Sequence, residues 1–157
     1  MATEDLTRVL DEAEVSYELL PHERTESALA EAEVLGIAPA DVAKTLVVRI
    51  PDGYLRAVLP ASARIDLRKL REARGGGGKK KIHLASEEDL ARDYGEFELG
   101  AVPPIGGSRR DPVVIDRRLA ERNSVILEAG SHEESVRLAT ADLLRVTEAE
   151  VGDICEG

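Results

Sequence analysis

Apolar residues Leu6, Val9, Leu10 and Ala13 recur at the i, i+3, i+4, i+7 spacing of one helical face, with Thr3 placed to cap the start, and predict an N-terminal amphipathic helix. Val15 to Leu19 then alternates as a short strand. Helical spacing returns over Thr25 to Leu35 through Ala28, Leu29, Ala32 and Leu35, and Gly36 stops it. Pro39 opens a turn or short helix. Thr45 to Ile50 and Tyr54 to Leu59 are β-branched or apolar runs on either side of Pro51, Asp52 and Gly53, which is hairpin chemistry. Asp66 to Ala73 reads as a basic helix, Lys81 to Leu84 as a strand, and Ser86 to Arg92 as a helix opened by a Ser86 and Asp89 capping box.

From Tyr94 to Arg110 the periodicity disappears and Gly95, Gly100, Pro103, Pro104, Gly106 and Gly107 accumulate, predicting a loop with special backbone demands. Pro112 to Asp116, Ser124 to Glu128 and Ser135 to Ala139 read as strands, and Thr140 caps a last helix through Asp142, Leu143 and Leu144. Helices and strands interleave without a regular βαβ period, so the pattern predicts an α+β fold on a mixed sheet rather than a doubly wound parallel one. At 157 residues and 43% hydrophobic content the chain is sized for one core, so we expect a single domain over 1–157.

Charge changes this picture in one place. The net charge is −10, which disfavours long-range capture of polyanions. The stretch from Arg64 to Lys81 nevertheless carries Arg64, Arg68, Lys69, Arg71, Arg74, Lys79, Lys80 and Lys81 against only Asp66 and Glu72, as a solvated helix face or a nucleic-acid contact would. Gly75 to Gly78 followed by lysines is not a P-loop, because no Ser or Thr follows Lys79 or Lys80, and the tract is expected to be a flexible surface loop. No apolar run approaches the roughly 18 residues that span a bilayer, and Met1 to Asp5 is acidic where a signal peptide is basic, so a cytoplasmic protein with no membrane partner is expected. The single cysteine, Cys155, allows no intrachain disulfide and is expected to be a tail residue without a role.

Conventional catalytic sets are missing. His22, His83 and His132 are the three histidines, no G-x-S-x-G elbow occurs, and His132 is followed by Glu133 and Glu134 without the second histidine of a zinc hydrolase, so no metal site and no cofactor are expected. There remains the loop in which Gly100 and Gly106 bracket Pro103 and Pro104. Glycine lets a backbone N–H approach a ligand closely and proline presets the shape, which together suit an oxyanion site; the same residues also make ordinary turns.

The ordered motifs Val42-Ala43-Lys44-Thr45-Leu46, Leu99-Gly100-Ala101-Val102-Pro103-Pro104-Ile105-Gly106, Pro112-Val113-Val114-Ile115-Asp116 and Ala129-Gly130-Ser131 resemble those of the YbaK/prolyl-tRNA-synthetase-associated editing family. The resemblance spans nearly the whole chain, from the surroundings of His22 to Asp142 and Leu143. It implies a mixed, mostly antiparallel sheet flanked by helices and a metal-independent hydrolase. Its substrate would be the ester joining a wrong amino acid to the 3′ end of tRNA, typically tRNA for proline, cleaved in trans. By motif, Lys44 matches the functional lysine, and Gly100 and Pro104 the ends of a G-x-x-x-P loop. A backbone amide near Gly100 to Ala101 would serve the oxyanion. Pro103, Gly106, Gly130 and His132 are the expected substrate-binding residues, and prolyl-tRNA synthetase or another translation factor is a candidate partner. Tyr94-Gly95 and Ala101 depart from the family pattern, which leaves alanine, cysteine, serine and threonine open as the amino acid removed. A non-catalytic module for aminoacyl-tRNA or a synthetase, and a hydrolase of a small ester or amide, are the competing functions.

Overall fold

The computed structural model describes residues 2–74 and 81–157; the Gly75–Gly78 tract with Lys79 and Lys80 lies outside them. The strands are β1 (Tyr17–Pro21), β2 (Val42–Ile50), β3 (Gly53–Pro60), β4 (His83–Leu84), β5 (Val113–Asp116), β6 (Ser124–Glu128), β7 (Glu134–Ala139) and β8 (Glu150–Gly152). The helices are α1 (Ala2–Glu12), α2 (Ala28–Leu35), α3 (Leu67–Ala73), α4 (Glu87–Asp93), α5 (Arg117–Ala120) and α6 (Thr140–Thr147), with a short 3₁₀ turn at Pro39–Asp41.

The hairpin around Asp52 and Gly53 forms the centre of the sheet, with Ala43 opposite Pro60 through to Ile50 opposite Gly53. The strand order is β1-β7-β6-β2-β3-β5-β8, and β4 adds to β2. The pairings β1–β7, β2–β3, β2–β4 and β6–β7 are antiparallel, whereas β2–β6, β3–β5 and β5–β8 are parallel, so the sheet is mixed and mostly antiparallel. Alternation along the strands sorts side chains between two faces. One face buries Ala43, Val58, Ile115 and Leu127 against Leu6 and Leu10 of α1, Leu119 of α5 and Leu143 of α6. The other buries Leu55, Ala57 and Leu59 against Leu70 of α3, and Val42 and Ile126 against Ala28 and Ala32 of α2.

Local chemistry accounts for the helix ends. Ser27 Oγ accepts the Ala30 N–H at 3.1 Å to start α2, and Gly36 at φ +66° ends it while the Ile37 N–H reaches back to Ala32 O at 2.9 Å. The capping box of α4 forms in both directions between Ser86 and Asp89. Asp66 caps α3 through the Arg68 and Lys69 N–H groups.

Several expectations are corrected. Thr3 lies inside α1 rather than before it. Thr140 is the first residue of α6, Ala139 takes the cap position, and Thr140 Oγ1 is buried without a hydrogen bond, because β7 runs straight into the helix. Cys155 is fully buried in the core beside Ile154 and Leu70 and bridges to Ile65; burial pushes its thiol up to about 12. α5 and β8 were not foreseen. Among the described residues no helix is long and apolar enough to cross a membrane.

A Cβ at Gly36 meets no atom within 4 Å, so any penalty there is pure backbone strain. Gly36→Ala is expected to lose about 1 kcal/mol in urea unfolding, and Gly36→Asn less, since Asn tolerates the left-handed region.

Candidate active site

β2 is paired along its length on the β3 side, but on its other side β6 meets it only at Val42 and Ala43, and β4 only at Val48 and Arg49. Lys44, Thr45 and Leu46 fall in the gap between those two strands. Unpaired strand edges leave N–H and C=O groups without ladder partners. Val42 and Ile126 share one apolar cluster, and the register carries Lys44, one residue beyond the last pair, level with Glu128 on the same face.

The loop after α4 hangs beside this break. Its Glu98 N–H donates to Gly130 O at 2.9 Å, and Val102 packs with Val47, Tyr94 and Phe97. The Ala101 N–H donates to Glu98 O at 3.0 Å across a turn centred on Leu99 and Gly100. Gly100 sits at φ +83°, the third position of a type II turn, where a side chain is strained and glycine is not. His132 Nε2 lies 2.6 Å from Leu99 O. A carbonyl only accepts, so Nε2 carries the proton and donates it. The peptide is planar and trans, so fixing the Leu99 carbonyl turns the Gly100 N–H the opposite way, and no hydrogen bond among the described residues occupies that N–H. The clamp is doubled at the backbone: the His132 N–H donates to Glu98 Oε2 at 2.7 Å, which holds that carboxylate below its usual range, and Arg24 pairs with it at 3.3 Å.

The far end of the loop is held by a residue that sequence inspection passed over. Arg56 points from β3 into the core at 1% exposure, donating from Nη1 to Pro103 O (2.9 Å) and from Nη2 to Gly106 O (2.9 Å) and Arg109 O (3.3 Å). Its guanidinium also lies 5.1 Å from the Tyr94 ring centroid, a cation–π contact. Tyr94 donates to the Asp111 carboxylate, and burial pushes its phenol up to about 12. The signal was present in the sequence: Arg56 is the only charge in the apolar run Tyr54 to Leu59.

Beneath the break lies a buried acid cluster, also missed. Glu128 is 6% exposed, with Oε2 at 3.1 Å from His132 Nδ1 but off the line of a hydrogen bond; His132 is 3% exposed. The fully buried Glu31 of α2 accepts from the Ser135 hydroxyl, and His22 Nε2 meets Ser135 Oγ at 2.8 Å. Burial pushes Glu31 up to about 7 and, with the charges of Glu31, Glu98 and Glu26 added, Glu128 up to about 8. Lys44 is half-buried; its Nζ reaches Ala61 O at a long 3.4 Å, and desolvation lowers its pKa.

The predicted residues therefore divide. Gly100, Gly130 and His132 come together beside Glu128, with Lys44 level on the next strand. The Ala101 N–H is spent within the turn. Pro103 and Gly106 supply carbonyls to Arg56, and Gly106, at φ +104°, is a packing glycine: a Cβ there would come 3.1 Å from Asp5 O of α1. Pro104 is buried and lines a different cleft, shared with Val146 and Thr147 of α6. Asp116 is structural, capping α5 through the Arg118 N–H and accepting the Ile154 N–H. Among the described residues no group of three or more His, Cys, Asp or Glu is arranged to hold a metal.

A mixed sheet broken between β6 and β4, with a loop beside it whose Gly100 amide has no hydrogen-bond partner among the described residues, is the arrangement these residues build. The chain belongs to the aminoacyl-tRNA editing domain family, whose model matches residues 22–146. It is 31% identical over 139 residues to EbsC of Enterococcus faecalis, named for Cys-tRNA(Pro)/Cys-tRNA(Cys) deacylation, covering 88% of this chain and 82% of that protein. It is 29% identical over 151 residues to ProXp-y of Escherichia coli K12, a multifunctional Ser/Thr-tRNA deacylase, covering 93% and 88%. A solved structure described as a trans-editing enzyme for prolyl tRNA synthetase shares the fold at TM-score 0.84 and 24% identity, covering 99% of this chain and 98% of the other.

Arg56→Lys keeps the charge but not the fork, so it is expected to cost about 2 kcal/mol in urea unfolding as loop carbonyls lose their donor. A carboxyl whose folded pKa is raised favours folding while protonated, and that contribution fades as pH rises from the unfolded value towards the folded one. Glu31→Gln should therefore raise the melting temperature relative to wild type increasingly between pH 4.5 and pH 7, a difference read by parallel thermal scans.

Proposed function

We propose that the protein hydrolyses the ester joining a wrong amino acid to the 3′ end of tRNA, acting in trans, and that the Gly100 N–H stabilises the oxyanion. The observation that carries this is the unoccupied Gly100 amide, aimed by the His132 clamp beside a break in the sheet. Water attacks the ester carbonyl carbon, the negative charge gathers on the carbonyl oxygen, and a preorganised N–H there lowers the barrier without a side-chain nucleophile. The bond to the ribose oxygen then breaks, and that oxygen takes a proton with help from the adjacent ribose hydroxyl.

Lys44 uses one of its three Nζ donors on Ala61 O and offers the rest to the terminal adenosine, its phosphate or the bound amino acid. The relatives' names point to cysteine, serine and threonine as the amino acids removed, and that of EbsC to tRNA for proline among the acceptors, while alanine stays open from the sequence pattern. Arg64 and Arg68 are exposed at and before the start of α3 and supply tRNA contacts. Because the net charge of −10 works against unaided capture of a polyanion, delivery by prolyl-tRNA synthetase or another translation factor in the cytoplasm belongs to this reading.

The test is single-turnover release of amino acid from a panel of mischarged tRNAs. Lys44→Ala is expected to slow release roughly 10- to 100-fold, the range for losing a hydrogen bond from a charged group, and Gly100→Ala about tenfold through strain at its positive φ. Full activity in Lys44→Ala removes the lysine from the mechanism. Binding of tRNA with no release by the wild type identifies a non-catalytic module instead. Binding that is insensitive to salt points to a small ester in place of tRNA.

A further inference from the structure

We infer that Glu128 is a positioning residue for deacylation: by sharing a proton with His132 Nδ1 it keeps the Nε2–H on the Leu99 carbonyl and so aims the Gly100 amide. The inference rests on the proposed role of that amide. Its own footing is the 3.1 Å approach of Glu128 Oε2 to His132 Nδ1, two buried atoms that make no other hydrogen bond, together with the bond from His132 Nε2 to Leu99 O (2.6 Å) and the one planar peptide that joins this carbonyl to the Gly100 N–H. Both side chains are more than nine-tenths buried, so they meet in a medium of low dielectric.

The proton count makes the clamp conditional. One proton belongs to Nε2, and a second is assigned to the space between Nδ1 and Glu128 Oε2, which lie 3.1 Å apart and have no other hydrogen-bond partner. Imidazolium beside carboxylate, or neutral imidazole beside carboxylic acid, each leaves Nε2 donating. When the second proton departs, the carboxylate draws the remaining imidazole proton to Nδ1. Nε2 then presents a lone pair to Leu99 O, the contact turns repulsive, and the carbonyl swings away. With glycine at the third position both orientations of the central peptide are open, so the turn flips and carries the Gly100 N–H with it.

The surroundings favour the protonated pair. Glu128 faces Glu31 of α2, Glu26 just before it, Glu98 of the loop and His132, with Lys44 level on β2 and Ser135 opposite on β7. Glu31 is tied to Ser135 and through it to His22, and Glu98 to Arg24. Burial and the three acidic neighbours raise Glu128 to about 8, which places loss of the shared proton just above neutrality.

Glu128→Gln separates this from simple packing, because the Gln amide donates to Nδ1 at every pH and holds the imidazole proton on Nε2. Release of amino acid is measured in single turnover at pH 7 and pH 9, with uncatalysed hydrolysis subtracted. The ratio of Glu128→Gln to wild-type rate is expected to rise about tenfold between these values, as a group titrating near 8 requires; an unchanged ratio overturns the inference. Nitrogen NMR of the His132 ring reads the clamp without catalysis. In the wild type the proton should move from Nε2 to Nδ1 across pH 8, and in Glu128→Gln it should stay on Nε2. A wild-type ring that keeps its Nε2 proton to pH 9.5 also overturns the inference. A wild type that releases no amino acid but shows the tautomer shift contradicts the deacylase reading and leaves the clamp supported.

Discussion

Backbone carbonyls turned inward from an irregular loop lose their water and must find donors, and in the segment from Leu99 to Arg109 the buried side chains of Arg56 and His132 meet that demand. Arg56 reaches the carbonyls of Pro103, Gly106 and Arg109 from β3, and His132 reaches that of Leu99 from the turn between β6 and β7. A buried guanidinium is costly unless its donors are used, and an unpaired buried carbonyl costs about 1–3 kcal/mol, so each partner makes the other tolerable. The loop is irregular in dihedral angles yet fixed in position, because one end is tied to β3 and the other to the turn between β6 and β7.

The site follows from that arrangement. β6 leaves β2 after Ala43 and β4 joins only at Val48, so the sheet itself opens a gap, and the loop is moored beside it by Gly130 O and Val47. Fixing a carbonyl fixes the amide of the same peptide, so the Gly100 N–H gains direction from a histidine that need not touch substrate. The chemistry proposed for it, built on a backbone donor, leaves little trace in side chains. Around it the acids Glu31, Glu128 and Glu98 are crowded into low dielectric. The first two are driven towards their neutral forms, and the third is kept charged by the His132 N–H and Arg24.

The hairpin, the capping box at Ser86, the glycine stop at Gly36 and the strand at Ser124–Glu128 were legible because each rests on neighbours within a few residues. α5 and β8 were not: four and three residues carry no period, and both exist because the sheet edge and the Asp116 caps hold them. Cys155 looked like a tail residue because nothing local shows that the C-terminal segment folds back onto Leu70 and Ile65. In the proposed site, Gly100 and Lys44 come from motif order. The division of labour within the loop was not, since Ala101, Pro103 and Gly106 differ from Gly100 only in where their backbone groups end up. Arg56 announced itself as a lone charge in an apolar strand, whereas the partnership of Glu128 with His132 depends on a turn that reverses the chain between them.

The central claim, that the loop is pinned so as to leave the Gly100 amide free for substrate, is tested most directly by amide NMR. The protein would be titrated with a non-hydrolysable analogue in which an amide joins a small amino acid to the 3′ position of adenosine. The account predicts that the Gly100 N–H resonance moves on binding, while the Ala101 N–H, already bonded to Glu98 O, stays in place and protected from exchange. A Gly100 resonance that does not respond, with Ala101 moving in its stead, would contradict it.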